Sequence, residues 1–386
     1  GAELLDMPEK SSTALRPLHL AAKQGHTAVV KAFLEFTTTP SALAAEKDVA
    51  GNTAVHLAAS KGHMDTVVAL LQHPKSASQS DAHDRVGFLL TAENRFDRQT
   101  ALHVAADRGQ AAVVQAMIEM CPDKAALLRM SDKLGQTAVH LAAEKGHGVV
   151  VETIFKMAPE ALALLDCRER ITGQTALHMA SEAGHDGTVR AMLGASPDNC
   201  GSFILATDRC GRYTALHLAA ERGHLATCRA LISMATEKEK LLVAQERFAG
   251  QTALHLAAGA GHDELCRLIL ELAPNASALL VAKDNSGGFT PLQLAAEKGH
   301  ATVVEVLLEL APDRNGLLKD SLSRWSGFTA LHLTAYRGHE EAAKVLLRLA
   351  PDKKALLAIK DQRGRTAADL AADRGRRAVA SLLSEA

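Results

Sequence analysis

The phrase TALHLAAERGH at 214–224 belongs to a pattern that occurs ten times along the 386-residue chain. Aligned on its threonine, the copies fall at Arg16 (a variant), Thr53, Thr100, Thr137, Thr175, Thr214, Thr252, Thr290, Thr329 and Thr366, 37–39 residues apart except for one gap of 47. A chain with one pattern at this period folds as a stack of like units, because each unit is too thin to bury its own apolar face and must cover it with its neighbours. Aromatic residues make up 3% of the chain against 47% hydrophobic residues in all, so small side chains at close helix contacts replace a single thick core.

One copy shows the local chemistry. Thr214 is expected to cap a first helix, with His217 reaching back as its capping partner. Leu216, Ala219 and Ala220 supply a narrow apolar face, and Gly223 ends the helix in a left-handed conformation. A second helix follows from about Leu225, with Cys228, Leu231 and Ile232 on its buried stripe. Stretches such as CPDKAALLRMSD (121–132), APNASALLVAKD (273–284) and APDKKALLAIKD (350–361) predict a further helical turn after the second helix.

The copies TAVHLAASKGH (53–63), TALHVAADRGQ (100–110), TAVHLAAEKGH (137–147), TALHMASEAGH (175–185), TALHLAAGAGH (252–262), TPLQLAAEKGH (290–300) and TALHLTAYRGH (329–339) resemble the ankyrin repeat family over roughly residues 13–386. The resemblance implies an all-α ankyrin-repeat solenoid of ten helix–turn–helix units, joined by β-hairpin-like loops and binding proteins on a concave face. The units run longer than the family's usual 33 residues by about five. Residues 1–12 are expected to form a leader, with Gly1-Ala2 a cloning scar, and 13–386 the array. The first copy, RPLHLAAKQGH (16–26), lacks the threonine. The last, at about 361–386, replaces the motif histidine by Asp369 and reads as a polar capping repeat. The long gap places an insertion at about 72–94, expected to be a solvated excursion, with Ser76, Ser78 and Ser80 open to kinases as the rival reading.

Lys+Arg 43 against Asp+Glu 44 gives a net charge of −1, which argues against nucleic acid as a partner. No apolar run approaches a membrane span, and no signal-peptide pattern opens the chain, so direct membrane insertion is not expected. The six cysteines form no even framework, and an intracellular, cytoplasmic location is expected. Of 18 histidines, eight sit in the TALH column and eight in the GH column. They are expected to be cap and turn residues and not metal ligands, and their burial predicts loss of stability below about pH 6.

No nucleotide-binding glycine loop, zinc-protease helix or Ser-His-Asp order stands out, so neither enzyme activity nor a cofactor is expected. The resemblance assigns partner contact to loop tips and first-helix ends. It implies contact through Tyr213, Phe248, Phe289, Trp325, Phe328, Tyr336 and Arg337, with Phe96 at a further tip and Gly259-Ala260 forming a notch. The expected function is non-catalytic recognition of a partner protein or peptide, as scaffold or adaptor, by a chain monomeric on its own. The alternative is a regulatory array cut from a larger enzyme or channel. For the tip aromatics, packing on the next hairpin is the competing role.

Overall fold

The computed structural model describes residues 16–72, 79–157, 159–195, 200–320 and 327–386. The leader expected at 1–12, residues 73–78 of the insertion and Trp325 lie outside them. The chain divides into two compact units, Gly1–Asp198 and Asn199–Ala386. Each is a stack of all-helical repeats, and among the described residues the only β-pairing is an isolated bridge between Thr207 and Thr214.

Every repeat opens on a short alanine-rich helix, such as Ala54–Lys61, Ala138–Glu144, Ala215–Arg222 or Ala253–Ala260. Ala219 and Ala220 are fully buried, as are Ala257 and Ala258. Alanine at these places lets consecutive first helices approach closely and loses no side-chain entropy. A second, longer helix carries the larger side chains, as in Leu225–Met234, where Cys228, Leu231 and Ile232 are fully buried. Burial pushes the thiols of Cys228 and Cys266 up to about 12, so neither is a reactive thiolate near neutral pH.

The extra turn forms a third helix. In Lys124–Arg129, Asp123 Oδ1 accepts from the Ala126 amide at 2.8 Å and so caps it, while Leu127 and Leu128 are buried. Asn275 and Asp352 repeat this cap on the amides of Ala278 and Ala355. The insertion corrects its sequence reading. Residues Gln79–Thr91 form a thirteen-residue helix where Lys124–Arg129 has six. Leu89 and Leu90 of that helix are fully buried, and Arg85 donates to the Leu71 carbonyl at 2.9 Å. The Leu-Leu pair that anchors third helices elsewhere is present here too, so this part of the insertion lengthens a packed helix.

The TALH histidines tie one repeat to the next. The Thr137 amide donates to His140 Nδ1 at 3.2 Å, so Nδ1 must be the bare nitrogen. Nε2 therefore carries the proton and donates to the Cys167 carbonyl in the following repeat at 3.1 Å. His56, His217 and His255 make the same pair of bonds, reaching the carbonyls of Gln99, Ala244 and Ala282. Gln293 shows what the column requires. Its Oε1 accepts from the Thr290 amide at 2.9 Å and its Nε2 donates to the Phe328 carbonyl at 2.7 Å. A neutral acceptor–donor rod is what fits.

Within each unit, GH histidines tie a repeat to the one before. His262 Nε2 bonds the Glu221 carbonyl at 3.1 Å, and His300 bonds that of Gly259 at 3.1 Å. The His262 ring also lies on Gly223, whose φ of 75° closes the preceding first helix. A Cβ there would stand 2.6 Å from His262 Cε1. Gly223→Ala should therefore cost more than about 1 kcal/mol, from the strained φ and the displaced ring together; a lower urea midpoint with an unchanged m-value would show it.

Burial lowers the pKa of His19, His56, His103, His140, His217, His255 and His332, and takes His56 and His140 to about 4. A folded pKa below the unfolded value of 6.5 means the unfolded chain binds more protons. Stability is then full above about pH 6.5 and is lost as pH falls towards 4. The melting temperature should drop steadily across that window. His140→Gln, which keeps both bonds without titrating, should retain about 3 kcal/mol that the wild type loses by pH 4. Thermal melts of both proteins at pH 7.5 and 4 check this.

Candidate functional site

Among the described residues, the hairpins leading into first helices are each organised by one side chain that the sequence reading passed over. Glu246 is 3% exposed; its Oε1 accepts from the amides of Ala249 and Gln251 at 2.7 and 3.0 Å, and its Oε2 from that of Phe248 at 2.6 Å. Asp284 takes the amides of Gly287 and Phe289, Asp208 those of Gly211 and Tyr213, and Asp132 those of Leu134 and Gln136. For Glu169, burial alone would raise the pKa, but bonds from Thr172, Ile171 and Gln174 hold it below the usual carboxylate range. The signal was available: an Asp, Glu or Asn stands five or six residues before eight of the nine threonines, Thr329 excepted, as in DKLGQT (132–137) and ERFAGQT (246–252).

These cages are linked. The Arg247 amide donates to the Gly211 carbonyl and the Asn285 amide to that of Ala249, each at 2.6 Å. In the N-terminal unit the amides of Arg95, Lys133 and Arg170 donate to the carbonyls of Ala50, Asp97 and Leu134 at 2.7–2.8 Å. The tips form a backbone-bonded row with buried carboxylates behind it, so the residues next to each carboxylate point outward from a fixed frame.

Five of the aromatic residues singled out in the sequence lie on or beside this frame in the C-terminal unit, in unequal environments. Phe248 is 70% exposed. Tyr213, Phe289, Phe328 and Tyr336 are half-buried. Tyr213 stands edge-on to His217 of its own repeat, with centroids 6.0 Å apart, and covers Gly211. A Cβ on Gly211 would overlap the Tyr213 ring and lie 2.9 Å from Phe248, so this glycine seats two rings from successive tips. Phe289 covers Gly287 in the same way. Phe328 stacks on His332 at 5.7 Å and 7° and meets Tyr336 at 6.0 Å.

Arg374 adds a cation to this cluster, 4.1 Å from the Tyr336 centroid, and donates to the Tyr336 hydroxyl at 2.7 Å. No sequence signal had marked this stacking. Arg337 pairs with Glu297 of the preceding repeat. Where Gly259 lies, a Cβ would meet nothing within 4 Å, and Ala260 beside it is exposed. The aromatics therefore divide into one exposed ring and four that pack mainly within their own repeats.

A separate hollow of about 630 Å³ opens between two second helices of the N-terminal unit, floored by Phe155 and Ala191 and flanked by Gly187, Gly194, Lys156 and Arg190. No sequence signal had marked it.

Among the described residues, no helix is long and apolar enough to cross a membrane. A family model described as ankyrin repeats (3 copies) matches residues 3–81, 75–162, 157–241, 237–317 and 313–386. A search of curated proteins finds no match.

Glu246→Gln turns one of the acceptors into a donor facing amide N–H groups. It should cost about 1–3 kcal/mol. Amide hydrogen exchange at Phe248, Ala249 and Gln251 should accelerate ahead of exchange in the flanking helices.

Proposed function

As the chain belongs to the ankyrin repeat family, we propose that it is a non-catalytic scaffold or adaptor whose C-terminal unit holds a partner protein or peptide against its hairpin tips and first-helix ends. Repeats of this family are in general modules of protein–protein interaction and typically non-catalytic. The observation that carries the reading here is Phe248. A large ring left 70% exposed on a tip fixed by three amide bonds to Glu246 is costly in water and well suited to a contact, because its position is set before binding.

The partner would cover Phe248, seat a side chain in the notch at Gly259-Ala260, and reach the edges of Tyr213, Phe289, Phe328 and Tyr336, with Arg337 at the rim. Trp325 belongs to the same proposed surface. The setting is the cytoplasm in this reading, consistent with the free cysteines Cys121, Cys167, Cys228 and Cys266. Alone, the chain is a monomer in this reading.

Phe248→Ala tests the surface without disturbing the fold, since the ring supports little of its own repeat. In capture from cell lysate, wild type should retain a partner that this variant loses, with melting temperatures equal within about 1 °C. A truncated hot spot of about 2 kcal/mol weakens binding roughly thirtyfold. The same partner held equally by both baits would remove Phe248 from the interface.

A further inference from the structure

The loops 94–99, 132–136 and 169–174 of the N-terminal unit repeat one order of residues: a caged acid or amide, then a cation, then an apolar residue. The pairs are Arg95-Phe96, Lys133-Leu134 and Arg170-Ile171. Their backbones are fixed by the tip-to-tip bonds described above, and their side chains are exposed. Phe96 is 62% exposed, Leu134 42% and Ile171 68%. None of the three cations makes a side-chain hydrogen bond or ion pair among the described residues.

The acids of these loops are placed differently. Asp132 and Glu169 are buried in their amide cages, and Asp97 is the one exposed acid of the three loops. Arg98 is already paired with Glu93 at 2.8 Å. Each loop thus buries or outnumbers its negative charge and shows a cation beside an apolar side chain, in three consecutive repeats.

We propose that this row of tips is a docking surface for an extended acidic–apolar segment of a partner protein. Exposed unpaired cations call for carboxylates, and the adjacent rings and aliphatic chains call for apolar side chains on the same segment. The spacing fixes the period. Packed helices lie about 10 Å apart, and a segment in the polyproline II conformation rises about 3.1 Å per residue with three residues per turn, so a carboxylate every third residue stays on one face and meets successive cations. The surface is independent of Phe248 and the other C-terminal residues.

The test uses the full chain and a fluorescein-labelled peptide of four Glu-Leu-Ser triplets. A Lys-Leu-Ser peptide and vesicles of phosphatidylcholine with phosphatidylserine serve as rival probes. The acidic peptide should bind at least tenfold tighter than the basic one and weaken with added salt. Arg95→Glu/Lys133→Glu/Arg170→Glu should lose at least tenfold while keeping its melting temperature, and Phe248→Ala should bind like wild type. Should the charge-reversed protein fold poorly, Arg95→Gln/Lys133→Gln/Arg170→Gln must show the loss instead. Equal affinity for both peptides, binding unchanged in the folded triple variant, or binding to the vesicles without binding to the peptide would each overturn the proposal.

Discussion

A neutral imidazole spanning two repeats is the interaction on which this molecule depends. The TALH histidine accepts from the amide of its own cap residue and donates to a carbonyl ahead of it, as His217 does for Thr214 and Ala244. A first helix of seven or eight residues is too short to hold itself in water. The histidine ends that helix's unsatisfied run of amides and pins the next hairpin in the same step. A charged imidazole cannot do so, because a proton on Nδ1 would face the threonine amide. The requirement for neutrality therefore follows from geometry, and the lowered pKa values are its thermodynamic expression.

How much of this was legible depended on whether a role repeats in sequence. The period, the capping threonines, the left-handed glycines and the Asp-capped third helix were all readable, because each recurs with the same residue type in register. The hairpin acids recur as well but went unread: Asp132 and Glu169 sit five and six residues before their threonines, and the two loop lengths put them out of column. The insertion misled for a related reason. Its serine-rich start reads as a solvated loop, while Leu89 and Leu90, which make its end a packed helix, look ordinary without the unit's frame.

The candidate surface was legible only as a list of side chains. That Tyr213 and Phe248 share the space over Gly211, or that Arg374 lies on Tyr336, is set by contacts between residues 35–38 positions apart, which no single copy displays. Exposure follows place in the hairpin: Phe248 stands two residues after Glu246 and its ring is 70% exposed, while Phe289 stands directly before Thr290 and its ring lies against Gly287.

Within each unit the paired histidine links give most junctions the same two fittings: a donor reaching forward from the TALH ring and a ring reaching back over a left-handed glycine. A repeat so fitted is a transferable part. A duplicated or deleted repeat would still present compatible ends, and the surface would grow or shrink by one tip without new core design. Three junctions are less interchangeable. Gln110 replaces the backward ring over Gly62, Arg376 replaces it over Gly338, and Gln293 replaces the forward imidazole. The first two change the side chain filling the socket and the third keeps its bonds, so a chain lengthening by duplication would meet its odd fittings at Gly62 and Gly338.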